Sequence, residues 1–208
     1  CSFDMLGEAA RTAADADRYF RAYQGAIAAV AGVDSDTPHL DRHSVSIKLS
    51  ALHPRYEPAK RGRVMAELTA TVLALAEQAK AGGIGLTIDA EEADRLELSL
   101  EVIAAIADAP SLAGWDGLGM AIQAYQKRAP AVVQWADALG ARTARKIAVR
   151  LVKGAYWDSE IKHAQEEGLS DFPVFTRKEA TDVCYLVCAR QMLSSANIAP
   201  AFATHNAV

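Results

Sequence analysis

Two hydrophobic rhythms alternate along the chain. Short apolar, β-branched runs are each followed by a longer stretch in which apolar residues recur three and four apart. The first rhythm is that of a buried strand, the second that of an amphipathic helix. Residues 1 to about 33 lead into one such helix, with Ala16, Tyr19, Phe20, Tyr23, Ile27 and Val30 along one face and Gly32 at its end. Residues 33–42 are polar, contain Pro38, and read as a loop. The alternating segment 43–50 predicts a first strand, and 60–81 a long helix that Gly82 and Gly83 stop. Strands follow at 84–90, 118–124 and 147–152. Helices follow these at about 95–106, at about 128–140, and then twice, at about 159–167 and 177–195. Segment 199–206, entered through Pro200, predicts a fifth strand.

Strands that alternate with helices throughout are the signature of parallel βα units. An open doubly wound sheet and a (β/α) barrel would both carry it. The open sheet usually has a glycine-rich phosphate turn after an early strand, and no early strand here ends in one. Each strand ends instead in a polar residue: Lys48, Asp89, Gln123, Arg150 with Lys153, and His205. A barrel collects its active site from many strand ends. The expected fold is therefore α/β, a (β/α)8 TIM-like barrel of which the chain holds about the first five βα units. Residues 1–42 would be an N-terminal helix and lead-in, and 43–208 the partial barrel, in one domain overall. A complete barrel needs about 250 residues, so the chain reads as a piece of a longer polypeptide.

Composition changes this picture little. Of 208 residues, 51% are hydrophobic and 23% charged, ordinary for a soluble globular domain. A net charge of -4 gives no basic footprint for nucleic acid. No apolar run reaches the ~20 residues a spanning helix needs and no signal peptide is visible, so the expected location is cytoplasmic. Cys184 and Cys188 stand four apart in a helical pattern and would pack as small hydrophobes on one face. No cysteine or histidine cluster has metal-ligand spacing, and no metal site is expected.

The candidate chemistry gathers around residues 145–157. Arg150 interrupts an apolar strand and Lys153 follows its end. A charge in that setting is costly without a partner, so the two cations point to an anionic or electron-rich ligand. Lys48, Asp89, Gln123 and His205 would converge with them on one mouth. The cations suit a substrate carboxylate; Asp89 can orient a cation, and Gln123 offers a heterocycle both a donor and an acceptor. No serine or cysteine stands in a nucleophilic setting. Glu91 and Glu92 lie past Asp89 at a helix start and do not form a glycosidase pair. What remains is chemistry carried by a cofactor, a Schiff-base lysine (Lys153), or a non-catalytic barrel segment.

Each residue also has a plain structural role open to it. Lys48 could snorkel from a core, Asp89 could cap the next helix, and Gln123 could satisfy backbone groups. His205, Tyr156 and Trp157 could simply pack. His39, His43, His53 and His163 fall in loops or on a helix face and read as non-catalytic.

Taken together, the stretches 2–8, 46–56, 88–92, 123–128, 150–158, 176–178 and 203–207 carry a resemblance. Among them are Ser46-Ile47-Lys48-Leu49-Ser50 and Arg150-Leu151-Val152-Lys153-Gly154-Ala155-Tyr156-Trp157. The chain resembles the proline dehydrogenase domain of proline utilization A, a bacterial bifunctional flavoenzyme family. The match runs in order over nearly the whole chain. It implies a distorted (β/α)8 barrel that binds FAD at its C-terminal mouth and oxidises L-proline to Δ1-pyrroline-5-carboxylate. Hydride would pass to flavin N5 and the electrons onward to a membrane quinone.

By position, the resemblance makes Lys48 the holder of the proline carboxylate and Asp89 the carboxylate that orders the cations. Arg150 would lie by N5, with Gln123 also on the isoalloxazine. Ala90, Val152, Lys153, Gly154, Ala155 and Trp157 would line the cofactor, joined by Lys178, Thr181, Thr204 and His205. The family's last three strands and final helix bring an arginine pair and aromatic residues over the proline ring. These, an aldehyde dehydrogenase half and any DNA-binding arm are outside the 208 residues, and peripheral attachment to the inner membrane is expected only of the full-length protein. Cys1 stands where an aromatic is expected in relatives.

Overall fold

The structure is a computed structural model of the chain and describes residues 1–5, 7–32 and 43–203. Six strands build one sheet: β1 (Ser2–Asp4), β2 (Ser44–Ile47), β3 (Gly85–Ile88), β4 (Leu118–Gln123), β5 (Ile147–Val152) and β6 (Ile198–Phe202). Their order in space is their order in sequence, and every neighbouring pair is parallel. Between them run α1 (Ala13–Ala31), the single turn α2 (Leu49–Leu52), α3 (Arg61–Ala81), α4 (Leu96–Ala107), α5 (Ala129–Thr143), α6 (Trp157–Glu166) and α7 (Lys178–Ser194). Helical crossovers between successive parallel strands wind a (β/α) barrel. Here they form a six-stranded arc of one.

The sequence pattern leads to five strands; the sheet has six. Ser2–Asp4, expected as a lead-in to α1, pairs with Ser44–Ser46 instead. Three exposed residues with one apolar side chain carry no strand rhythm of their own. The first expected strand also stops early, because the chain turns into α2 after Lys48. The expected loop at 33–42 and positions 204–206 of the last expected strand lie outside the described residues.

Register sorts the side chains by face. Val45, Ile47, Leu86, Ile88, Leu118, Met120, Ile122, Val149 and Leu151 join Leu68, Leu75, Ile103 and Ile106 of the helices in one buried core. The opposite face carries small or polar residues at alternate positions: Ser46, Thr87, Gly119 and Ala148 lie in one row. A Cβ on Gly119 would stand 2.9 Å from the Ala148 carbonyl oxygen, so that row is built without slack.

Local signals set the helix ends. Thr12 and Asp15 form a reciprocal cap at the start of α1, Oγ1 accepting from the Asp15 N–H at 3.1 Å and Oδ2 from the Thr12 N–H at 3.0 Å. Gly82 and Gly83 end α3, the second at φ +67°. Cys184 and Cys188 are buried free thiols on one face of α7, as their spacing implies. Among the described residues no helix is long and apolar enough to cross a membrane.

Leu68 is fully buried where α3 packs against the sheet. Leu68→Ala should lower the stability of this domain by about 3 kcal/mol. The check is a shift of the denaturation midpoint with unchanged slope.

Candidate active site

The C-terminal ends of β2 to β5 open into a cleft of about 650 Å³. Of the residues singled out in the sequence, Lys48, Asp89, Ala90, Gln123, Arg150, Val152, Lys153, Gly154 and Ala155 all line it. A second recess of about 340 Å³ shares Lys153 and Gly154 and adds Trp157, Lys178 and Thr181. Thr204 and His205 lie outside the described residues.

Continuing the strand register one step past Ile47 and Ile88 places Lys48, Asp89, Ala121 and Arg150 in a single row across the sheet. Asp89 is 8% exposed. One of its oxygens accepts from the Lys48 Nζ at 3.0 Å, and the other accepts from the Arg150 Nη2. The Arg150 Nη1 donates to the hydroxyls of Ser2 and Ser46, each at 3.0 Å. The guanidinium thus reaches from β5 to β1 and β2 across the small residues between them. Burial opposes charge on the Lys48 ammonium, but the adjoining Asp89 carboxylate, with Asp4 and Glu8 behind it, more than offsets this and holds its pKa above the ordinary 10.5.

Gln123 spends its amide on two loops. Its Nε2 donates to the Glu91 carbonyl at 2.8 Å, and its Oε1 accepts from the Ala155 N–H at 3.1 Å. It therefore ties the end of β3 to the end of β5 beneath the cleft, which is the backbone-satisfying role weighed beside that of a donor and acceptor for a ligand. Glu91 is buried, its carboxyl pushed up by burial, and it accepts from the Ser50 N–H at 3.0 Å.

Gly154 sits at φ +144°, and a Cβ there would stand 2.4 Å from the Tyr125 ring. Only glycine allows the chain to turn this tightly over the aromatic. The residues that follow, Ala155 and Tyr156, line the cleft.

At the second recess, the Lys153 Nζ and Lys178 Nζ converge on Asp182, at 2.5 and 2.6 Å. Hydrogen bonds from the two ammonium groups, that of Lys153 the stronger, hold the Asp182 carboxyl below its ordinary range. The Trp157 Nε1 donates to the Phe175 carbonyl at 2.9 Å, which fixes an indole that is 43% exposed.

Other residues belong to the site beyond those assigned to it from the sequence. Tyr156 lines the cleft, and its hydroxyl donates to Glu8 at 3.1 Å. Asp182 carries one faint signal, its place four residues after Lys178. Ser46 alternates with Lys48, which puts both on one face. His53 and His163 line neither recess and pair instead with Glu67 and Glu167.

Asp89 contributes most to lifting the Lys48 pKa above 10.5, with Asp4 and Glu8 adding to it, so the stabilisation is complete below pH 10.5 and is lost as pH rises through the higher folded value. Asp89→Asn should bring the Lys48 titration down, since burial is then opposed only by the more distant charges of Asp4 and Glu8. NMR titration of isotopically methylated lysines is the check; an unchanged Lys48 midpoint would sink this account.

This site lies in a recognisable sequence setting. The family model described as "Proline dehydrogenase" matches residues 1–208. The chain is 54% identical over 207 residues to the bifunctional protein PutA of Salmonella typhimurium, covering 99% of this chain and 16% of the relative's length. It is 53% identical to that of Escherichia coli over the same 99% and 16%. Among solved structures, Bradyrhizobium japonicum proline utilization A superposes with a TM-score of 0.97 at 60% identity, over 99% of this chain and 21% of that one. Proline utilization A from Bdellovibrio bacteriovorus, solved after inactivation by N-propargylglycine, superposes with a TM-score of 0.90 at 29% identity, over 98% of this chain and 22% of that one. The chain thus spans about a sixth of the length of the curated relatives it matches. It belongs to the proline dehydrogenase family.

Proposed function

We propose that this segment forms the flavin-side half of a site that oxidises L-proline to Δ1-pyrroline-5-carboxylate with FAD as cofactor. The observation that carries the reading is the Asp89 carboxylate, buried at the floor of the cleft and shared by Lys48 and Arg150. Family membership supports the reaction, and the donor set suits the cofactor. The bare turn at Gly154 admits a close backbone approach. Lys153 and Lys178 provide cations for an anionic chain, and Trp157 offers an exposed aromatic face. Bound there, FAD supplies the hydride acceptor at N5 and the onward route of electrons to a quinone.

The chain's own residues do the rest. The Lys48 ammonium has three N–H groups and gives one to Asp89; a substrate carboxylate would accept from the others. Holding the carboxylate fixes the proline ring, so that the carbon beside nitrogen faces the hydride acceptor. Oxidation removes a hydride from that carbon and a proton from nitrogen, leaving the C=N bond. Arg150, kept in place by Asp89, Ser2 and Ser46, puts a fixed cation where negative charge gathers. Asp89 orients both cations and is the positioning carboxylate of the site.

The remaining barrel strands with their arginine pair, an aldehyde dehydrogenase domain and peripheral membrane association are assigned to the full-length protein, as its relatives' greater length suggests. The ion pair between Lys153 and Asp182 speaks against a Schiff-base enzyme, because a nucleophilic lysine is a desolvated neutral amine.

Full-length protein should be yellow, with a flavin spectrum, and should reduce a dye in the presence of L-proline. Arg150→Met should cut kcat by about 100-fold or more, with flavin retained. Lys48→Met should act mainly by raising KM for proline. A full-length protein without flavin overturns the reading. Gly154→Ala should lower flavin occupancy through its clash with Tyr125, read as the absorbance ratio of flavin to protein.

A further inference from the structure

We propose that Glu160, on the first turn of α6, is a positioning residue that couples the two loops flanking the cleft and so sets Asp89 against its cations. This rests on the proline dehydrogenase reading of the site. The Glu160 Oε1 accepts from the Ala93 N–H at 2.6 Å, across 67 residues of sequence. Ala93 opens a short 3-10 turn, Ala93–Arg95, and the preceding Glu92 lends it no side-chain cap. The cap comes from α6 instead. The carbonyl of the same residue accepts from the Arg128 Nη2, also at 2.6 Å. Ala93 is therefore gripped on both sides of its backbone, from the start of α5 and the first turn of α6.

Ala93 is four residues beyond Asp89. Between them, the Glu91 carbonyl accepts from Gln123 and the Glu91 side chain accepts from the Ser50 N–H. The loop that carries Asp89 thus has two anchors, Gln123 and Ser50 at Glu91 and the Glu160–Arg128 grip at Ala93. The second connects it to the element that begins right after Lys153, Gly154 and Ala155. Glu160 does not line the cleft. Any effect it has on chemistry passes through the loop.

The cost of this carboxylate argues that it is kept for more than stability. Glu160 is 4% exposed. Burial pushes its carboxyl above the ordinary range, the Ala93 hydrogen bond draws it back, and the charges of Asp94 and Glu92 push it up again. An apolar residue of similar volume would pack there at no such penalty. What it could not do is accept from Ala93.

The test uses the full-length protein as purified, comparing Glu160→Ala with Glu160→Gln. In Glu160→Ala, kcat/KM for L-proline should fall about tenfold or more, with KM rising and kcat falling together, because Asp89 serves both Lys48 and Arg150. The visible circular dichroism of the flavin should change, and the Ala93 amide should exchange faster with solvent. The Gln variant keeps an acceptor oxygen and should restore most of all three. If Glu160→Ala does not fold, Glu160→Leu fills the volume without an acceptor and takes its place. Unchanged KM, kcat and circular dichroism in the acceptor-free variant overturn the proposal, as does a Gln variant equally impaired. Exchange at Ala93 needs neither flavin nor proline. A protein without flavin would therefore sink the functional reading while fast exchange in Glu160→Ala still supported the tie.

Discussion

The site depends on one carboxylate answering two cations. Lys48 and Arg150 come from strands separated by two others, and each donates to one oxygen of Asp89. Removing charges from water is expensive, and an apolar trio of similar volume would cost less. The arrangement leaves one net positive charge at the floor of the cleft, two cations against one acid. That surplus distinguishes the cluster from a neutral salt bridge and is what would attract a negatively charged group. Ser2 and Ser46 add to the effect, since their hydroxyls hold the guanidinium without cancelling its charge.

The same ratio recurs at the second recess. Lys153 and Lys178 share Asp182, again leaving one positive charge in surplus. These side chains are more exposed, so the pairs contribute little to stability, and their fixed spacing matters more. Between the two charge centres the chain turns at Gly154 with no side chain in the way. Two cationic centres joined by a bare backbone turn suit a long ligand that carries negative charge at separated points. The preorganisation falls to Tyr125, which dictates the turn, and to Gln123, which ties it down.

Much of this was legible in the sequence. The strands with strong apolar runs and the long helices follow from period alone, and Arg150 and Lys153 stand out because charges at the end of an apolar strand need a reason. What was not legible has a common cause. β1 is too short and too exposed to show a rhythm; it exists because Ser44–Ser46 offers it a partner. Asp182 and Glu160 lie on helices whose polar residues look like any solvated face. Only the fold reveals that one meets Lys153 across 29 residues and the other Ala93 across 67. For Gln123 the sequence left a ligand role and a backbone role open, since nothing local shows that both ends of its amide are taken. Lys48, Asp89 and Arg150 come together because parallel register aligns their rows, a relation between strands that no single strand contains.

That register also explains why the inward face is so plain. For Arg150 to reach Asp89 it must cross β4, where the row position is Ala121, and to reach Ser46 it must pass over the row that holds Thr87 and Gly119. A bulky side chain at Ala121 or Gly119 would stand in the path of the guanidinium. The outward face of the same strands is under the opposite demand: Met120 and Ile122 fill space against the helices. Alternation along β4 therefore separates two tasks by one residue. Bulk on one side holds the sheet to its helices, and absence of bulk on the other gives a long cation room to lie across it. The charge cluster is possible because the residues beneath it are small.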